Sequence, residues 1–166
     1  MTQQKRPWLL VTGGARGIGE ALVRELSRHY HVVFTYVHSS DAARRLANDC
    51  QQQGRRVDAV QCDGTDRVAV AALAQAWVTR YGAPHALINN AGITRDGAFL
   101  GMAAEAWLAV VDNNLNAAFH WTRALLPSMV EAGSGSVVMM SSVSGLKGNA
   151  GQTSYGATKA VLIGVT

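Results

Sequence analysis

The chain has 166 residues, of which 48% are hydrophobic and 16% are charged, and its formal net charge is +4. This length is enough to bury one core, so we expect a single domain spanning residues 1–166. The basic residues are scattered without an accompanying aromatic array, which argues against a nucleic-acid partner. No apolar run is long enough for a membrane span or a cleavable signal, and two cysteines make no disulfide framework, so we expect a cytoplasmic protein.

The first predicted element is a short buried strand from Trp8 to Val11, which leads into a glycine-rich turn and then a helix. Glycine permits backbone angles that other residues avoid, and free N–H groups at the start of a helix attract phosphate. The turn therefore predicts a dinucleotide site, although its Gly-x-x-x-Gly-x-Gly spacing also suits a tight connection. The candidate cofactor-binding residues of this turn are Gly13, Gly14, Ala15, Arg16, Gly17, Ile18 and Gly19.

Short apolar strands then alternate with helical segments along the rest of the chain. This alternation predicts an α/β fold, a Rossmann-type doubly wound parallel sheet with right-handed crossovers. The further predicted strands are Val32 to Tyr36, Val57 to Cys62, Ala86 to Asn89 and Ser136 to Ser141. In such a sheet, ligands bind beyond the carboxyl ends of the strands.

A long helix is predicted from about Ala103 to Glu131, where apolar residues recur at helical spacing. Asn114 falls inside this apolar stripe. A buried carboxamide needs hydrogen-bond partners, so Asn114 either caps nearby backbone groups or holds a water in a reacting network. Asn113 is the neighbouring alternative for that role.

Three polar side chains near the end of the chain are candidates for catalysis. Tyr155 and Lys159 are four residues apart at the start of a predicted helix, so they project from one face. A cation beside a phenol favours the phenolate, and this suits the pair to proton transfer. Ser142 follows the fifth strand, where its hydroxyl would face the ligand crevice, with Ser141 and Ser144 as alternatives.

Three motifs, taken in order, resemble those of the short-chain dehydrogenase/reductase family. They are the turn from Thr12 to Gly19, the run Asn89-Asn90-Ala91-Gly92, and Tyr155 with Lys159. The resemblance runs essentially end to end. More narrowly, the stretches Asn89 to Asp96 and Gly148 to Gln152 resemble the 3-oxoacyl-[acyl-carrier-protein] reductases and the related acetoacetyl-CoA reductases. No metal site is predicted.

The resemblance implies an oxidoreductase in which hydride passes from a reduced nicotinamide to a carbonyl carbon. It implies that Tyr155 donates the proton, that Ser142 hydrogen-bonds the carbonyl oxygen, and that Lys159 stabilises the phenolate and contacts the nicotinamide ribose. Asn114 would hold the water that supplies protons. The adenosine-side contacts implied by the resemblance are Asp63, Gly64, Asn90, Ala91 and Gly92. Taken alone, Asp63 is also a common turn former.

Cofactor choice depends on the end of the second strand, Thr35-Tyr36-Val37-His38. An acidic residue there would bind the ribose 2′-hydroxyl and repel a 2′-phosphate, and none is present. Arg16 is suited to pair with that phosphate, so we expect NADP(H) rather than NAD(H). Many NADP-preferring relatives carry a second basic residue at the position of Val37, and His38 is the substitute available here.

Two features depart from the family pattern. Acyl-carrier-protein reductases carry a basic cluster before the fifth strand that meets the acidic carrier, whereas this chain has the run from Val130 to Gly135. The expected substrate is therefore an acyl thioester on either acyl carrier protein or CoA. The family also continues past the helix of Tyr155 through further strands and a substrate lid.

We therefore expect the fold to be incomplete at its C-terminus, with an uncovered sheet edge at Val137 to Met140. The complete protein is expected to form a homo-oligomer, a dimer or tetramer, partly through the helices that carry Asn114 and Tyr155. Another reductase of the family, acting on acetoacetyl-CoA or a small ketone, is one alternative. The alternative outside enzymology is an inactive nucleotide-binding fragment.

Overall fold

A computed structural model describes residues 6–166 and shows one five-stranded parallel sheet. The strands are β1 Trp8–Val11, β2 His31–Tyr36, β3 Val57–Gln61, β4 Ala86–Asn89 and β5 Ser136–Met139. Their spatial order is β3-β2-β1-β4-β5. The chain thus builds one half of the sheet, returns past β1, and builds the other half. This reversal is the switch point at which doubly wound sheets bind ligands, and the predicted fold class is confirmed.

Helices fill the connections between successive strands, and two more follow β5. They are α1 Gly17–Leu26, α2 Ser40–Gln52, α3 Arg67–Tyr81, α4 Ala104–Val111, α5 Ala117–Glu131, α6 Val143–Lys147 and α7 Thr153–Gly164. A 3₁₀ turn at Phe99–Gly101 precedes α4, and a π-helical segment at Asp112–Asn116 joins α4 to α5. Within residues 6–166, no helix is both long and apolar enough to cross a bilayer.

The core consists of two apolar clusters on opposite faces of the sheet. Successive strand residues point to opposite faces, so in β1 Leu9 and Val11 pack with α1 and α2, whereas Trp8 and Leu10 pack with α3 and α5. All four of these side chains are buried. Parallel strands covered on both faces need such continuous apolar runs, which is why the sequence predicted their positions well.

Two strands end earlier than predicted. The third ends at Gln61 rather than Cys62, and the fifth at Met139 rather than Ser141. After β5 the chain turns into the short helix α6, which the sequence analysis did not predict, with Ser142 at its N-cap. As expected, β5 lies at an edge of the sheet, where Val138 is 41% exposed.

The helix predicted from Ala103 to Glu131 is not one regular helix. It is interrupted by the π-helical segment, whose wider turn holds more residues than an α-turn. Asn114 lies inside this segment and is 1% exposed. Apolar spacing identified the buried face correctly but carried no signal for the wider turn.

Candidate active site

Tyr155 and Lys159 lie together on the first turns of α7 and line one open, polar cavity, here called the Tyr155 cavity. The Lys159 Nζ is 5.7 Å from the centroid of the Tyr155 ring and donates a 2.5 Å hydrogen bond to the Met140 carbonyl. Lys159 is only 4% exposed, and this burial lowers the pKa of its ammonium group. The hydrogen bond to Met140, the residue after β5, thus holds the Lys159 ammonium group on the same side of α7 as the Tyr155 ring.

Ser142 caps the amino end of α6, where its Oγ accepts a 3.2 Å hydrogen bond from the Ser144 N–H. The hydroxyl protons of the two alternative serines, Ser141 and Ser144, are donated to other protein groups. Ser141 Oγ donates to the Lys159 carbonyl at 2.7 Å, and Ser144 Oγ donates to the Gln152 side chain at 2.9 Å. Of these three serines, Ser142 is the one whose hydroxyl donates no hydrogen bond to another group within residues 6–166.

Asn114 binds two segments at once from the π-helical turn. Its Oδ1 accepts from the Ile93 N–H at 2.7 Å, and its Nδ2 donates to the Ile93 carbonyl at 3.0 Å and to Thr158 Oγ1 at 3.1 Å. Thr158 Oγ1 in turn donates to the Tyr155 carbonyl at 2.8 Å. Asn114 therefore caps backbone groups, which is one of the two roles its burial predicted, and it ties the loop after β4 to the helix that carries Tyr155.

The loop after β4 is fastened to the end of β1 by Thr12 and Asn90. Thr12 Oγ1 accepts from the N–H groups of Asn90 and Ala91, both at 3.0 Å. The Asn90 side chain donates to the carbonyls of Thr12 at 3.0 Å and Gly13 at 3.2 Å. These bonds bring the glycine turn and the run from Asn89 to Gly92 together at the switch point, as the predicted topology requires.

A second, smaller cavity, here called the Trp121 cavity, lies on the other side of this junction. The residues lining it that were predicted as cofactor contacts are Gly13, Asp63, Gly64 and Ala91. Asp63 Oδ1 accepts from the N–H and Oγ1 of Thr65, at 2.9 and 2.8 Å, so it also forms the turn that its sequence context allowed. Burial raises the pKa of the neighbouring Cys62 thiol to about 11, which keeps it an inert lining group.

The structure distributes the remaining predicted residues unevenly. Arg16, Asn90 and Gly92 line the Tyr155 cavity, whereas exposed His38 lines neither cavity. Asn113 lines the Trp121 cavity, and the adjacent Asn114 faces the Tyr155 side. Arg16 therefore lines the same cavity as Tyr155 and Lys159.

The glycine turn is tightly packed against its surroundings and open at the start of α1. Gly13 has φ of +66°, and a Cβ on Gly19 would lie 2.2 Å from the Gly13 carbonyl oxygen. A Cβ on Gly14 would lie 2.5 Å from the Phe34 Cβ. Gly17 has φ of +57° with open space around it, at the start of α1 where helix N–H groups are unpaired. The residues present therefore fit a phosphate group held by backbone donors.

Comparison with known proteins agrees with this geometry, since the family model described as short chain dehydrogenase matches residues 7–166. The chain belongs to the short-chain dehydrogenase family. The members of this family are oxidoreductases that use nicotinamide cofactors. Within the described residues, no group of three or more histidine, cysteine, aspartate or glutamate side chains is placed to hold a metal ion.

Several curated relatives carry the name 3-oxoacyl-[acyl-carrier-protein] reductase FabG. This chain is 37% identical to the one from Staphylococcus aureus (strain Mu50) over 158 residues and 38% identical to that of Pseudomonas aeruginosa over 157 residues. Identity to that of Chlamydia muridarum is 36% over 156 residues. These alignments cover 93 to 95% of this chain but only 63 to 64% of each relative.

Three side chains that hold the candidate site together were given no role of their own from the sequence, although Thr12 and Asn89 lie within the motifs quoted for the resemblance. Thr12 and Thr158 hold the loop after β4 and the turn of Asn114, as described above, but neither their residue type nor their position predicts these contacts. Asn89 is 3% exposed and donates to Thr122 Oγ1 at 3.1 Å, while its own Oδ1 has no partner among the described residues. That oxygen belongs to a residue lining the Trp121 cavity, where a ligand or water donor would satisfy it.

Proposed function

We propose that this chain is the catalytic part of an NADPH-dependent reductase that converts a 3-oxoacyl thioester to the 3-hydroxyacyl thioester. The observation that carries the proposal is the Tyr155 cavity, in which the phenol, the buried Lys159 cation and the residues beside the glycine turn face one space. The FabG relatives support the substrate class, because their printed name specifies a 3-oxoacyl group. Acyl-chain biosynthesis is the corresponding role.

The residues of the cavity suit proton transfer to a carbonyl oxygen. The nicotinamide cofactor, when bound, supplies the hydride. Tyr155 donates its hydroxyl proton to the oxygen as negative charge develops there. Ser142 does not itself line the Tyr155 cavity, and its role is to donate a hydrogen bond to the same oxygen from the N-cap of α6. The Lys159 ammonium stabilises the phenolate that remains. Asn114 holds the backbone around the site, and a water at the π-helical turn would return the proton through Lys159.

The preference for NADPH rests on charge. Carboxylates are lacking at the tip of β2, where the sequence reads Thr35-Tyr36-Val37-His38, so no group there would repel a 2′-phosphate. Arg16 is exposed at the N-cap position of α1, and its side chain makes no capping hydrogen bond. The Arg16 guanidinium is the candidate partner for a phosphate oxygen, and exposed His38, just past the end of β2, is the second candidate.

The carrier of the acyl group is either acyl carrier protein or CoA. The segment before β5 runs from Val130 to Gly135 and contains no basic residue, so it offers nothing to an acidic carrier protein. A CoA thioester presents the same 3-oxoacyl group to the Tyr155 cavity. Acetoacetyl-CoA is therefore the first substrate to test.

We further propose that the protein is a cytoplasmic homo-oligomer. Apolar side chains stand exposed on the helices that flank the Asn114 turn and on α7; they are Leu108, Phe119, Leu126, Val161 and Ile163, each 41 to 55% exposed. Such apolar surface in a monomer marks an interface. A monomeric mass by sedimentation at micromolar concentration would contradict this proposal.

The test of function is oxidation of NADPH by the purified chain in the presence of acetoacetyl-CoA. We expect turnover that is faster with NADPH than with NADH and that falls by about 10²-fold or more in Tyr155→Phe, since the variant lacks the donated proton. A simple ketone as parallel substrate separates a thioester reductase from a small-ketone reductase. Folded protein that binds NADPH but shows no turnover dependent on Tyr155 would support the nucleotide-binding alternative.

A further inference from the structure

The side chain of Gln152, the residue immediately before α7, makes three hydrogen bonds to other side chains. Its Nε2 donates to Asp96 Oδ2 at 3.0 Å, and its Oε1 accepts from Ser144 Oγ at 2.9 Å and from Asn149 Nδ2 at 3.0 Å. A carboxamide oxygen has two lone pairs, so the acceptor capacity of Gln152 is fully used. One side chain therefore joins the loop after β4, helix α6 and the start of α7.

Backbone bonds support the same junction. The Gly97 N–H donates to the Gly151 carbonyl at 2.9 Å, and the Gly156 N–H donates to the Gln152 carbonyl at 2.7 Å. Helix α6 also packs very closely on α7, because a Cβ on Gly145 would lie 2.6 Å from the Lys159 carbonyl carbon. The two helices are thus in contact along their backbones, and a shift of one is transmitted to the other.

The network reaches Ser142 through a single residue. Ser144 donates its hydroxyl proton to Gln152 and its N–H to Ser142 Oγ. The bond from Ser144 occupies a lone pair of Ser142 Oγ, which leaves the hydroxyl proton to donate elsewhere. Gln152 also lies three residues before Tyr155, on the turn that begins α7.

We propose that Gln152 is a positioning residue that fixes Ser142 and Tyr155 relative to each other, with Asp96 as its anchor on the opposite loop. The catalytic consequence rests on the proposed reductase function, because it requires that both hydroxyls meet one carbonyl oxygen. The claim that Gln152 and Asp96 hold these segments in place does not depend on that function. Loss of the anchor frees Gln152, and with it Ser144 and the first turn of α7, to move relative to the loop after β4. Displacement of a reacting group by about 1 Å costs about 10²-fold in rate.

A reciprocal exchange of amide and carboxylate tests the pairing. Gln152→Glu sets a second carboxylate against Asp96, so we expect kcat with acetoacetyl-CoA to fall by about 10- to 100-fold. The NADPH dissociation constant should change by a much smaller factor than kcat, because the network touches neither the glycine turn nor the Trp121 cavity and reaches the cofactor side only through α7. Asp96→Asn is the matched control, since its side-chain oxygen still accepts from Gln152, and it should retain near-normal kcat.

The double variant Asp96→Asn, Gln152→Glu restores a donor opposite an acceptor and should recover most of the lost kcat. A general loss of folding would not be rescued in this way. Unchanged kcat in Gln152→Glu, or a double variant no better than that single one, would overturn the proposal.

Hydrogen exchange separates failure of this proposal from failure of the proposed function. The amides of Gly97 and Ser144 should exchange about tenfold faster in Gln152→Glu and return to wild-type rates in the double variant. This measurement needs no turnover. If the wild-type chain is inactive while the exchange pattern follows expectation, the reductase assignment fails and the junction stands. Unchanged exchange at both amides refutes the junction itself.

Discussion

Replacing Asn114 by alanine would remove three hydrogen bonds from a position that is 1% exposed. Two of them satisfy the N–H and the carbonyl of Ile93, and the third satisfies Thr158 Oγ1. The threonine hydroxyl keeps its bond to the Tyr155 carbonyl, so it loses only an acceptor interaction. The backbone of Ile93 bears the main loss, because both of its polar groups lose their side-chain partner together.

The size of the effect follows from these two groups. Leaving a buried donor or acceptor without a partner costs about 1–3 kcal/mol. Ile93 is only half-buried, so water compensates part of the loss, and the lower part of that range applies to each group. We expect Asn114→Ala to lower the free energy of unfolding by about 2–4 kcal/mol. For a chain of this size, that corresponds to a fall in Tm of about 5–15 °C.

Urea denaturation and a thermal melt measure this loss, and two variants make the result specific. Asn113→Ala removes the same side chain from the same π-helical segment, but its Nδ2 bonds only to the Ala109 carbonyl, so the loss should stay below about 1 kcal/mol. Asn114→Asp keeps the acceptor for the Ile93 N–H yet sets an oxygen against the Ile93 carbonyl, so it should be at least as damaging as alanine. Equal losses at both positions, or a benign Asn114→Asp, would refute the reasoning.

Two further predictions concern the glycine turn and the opposite end of the sheet. Gly19→Ala places a Cβ 2.2 Å from the backbone oxygen of Gly13, so the glycine turn must move. We expect NADPH affinity, measured by cofactor fluorescence, to fall by at least about tenfold. Unchanged affinity would contradict the proposal that this turn holds the cofactor phosphate. Asp58→Asn weakens a 2.7 Å contact with His31 Nε2 and should cost about 0.5–1 kcal/mol at pH 7, the low value reflecting a half-exposed carboxylate. The hydrogen bond from His31 lowers the pKa of Asp58, so its contribution is full above the ordinary carboxyl pKa of 3.8 and is lost as pH falls through the lower folded pKa. Urea denaturation of the wild-type protein and of Asp58→Asn should therefore show their difference in free energy of unfolding disappear only in strongly acidic solution. A difference that disappears near neutral pH would assign the effect to another group.

The sequence predicted the sheet and the motif positions because each depends on local pattern. The run from Trp8 to Val11 is apolar at every position, as a strand covered on both faces must be, and the prediction for Ala86 to Asn89 matches β4 at both ends. Tyr155 and Lys159 share a cavity because spacing of four residues on a helix dictates a common face. Features that lie within a single strand or helix could therefore be predicted from the local sequence pattern.

Contacts between residues on different elements could not be predicted from the sequence. Gln152 meets Asp96 across 56 positions, and Asn114 meets Ile93 across 21, and no periodicity encodes such contacts. The π-helical turn is similar, because its extra residue leaves the apolar stripe on both sides intact. The placement of Arg16 beside the Tyr155 cavity also required the folded turn, since its side-chain direction follows from the extended backbone before α1.

The wider turn at Asn113 and Asn114 explains how one helix serves both cavities. Asn113 lines the Trp121 cavity, and Asn114 supports the loop that borders the Tyr155 cavity. The buried Lys159 is a cost of this arrangement, because desolvation lowers its pKa and disfavours the charged form in the fold. The two apolar clusters against the faces of the sheet supply the stability that offsets it, and they lie apart from the polar network. Stability thus comes from the layers of the fold, whereas the two cavities are lined by the loops after β1 and β4 and, at the Tyr155 cavity, by the first turns of α7.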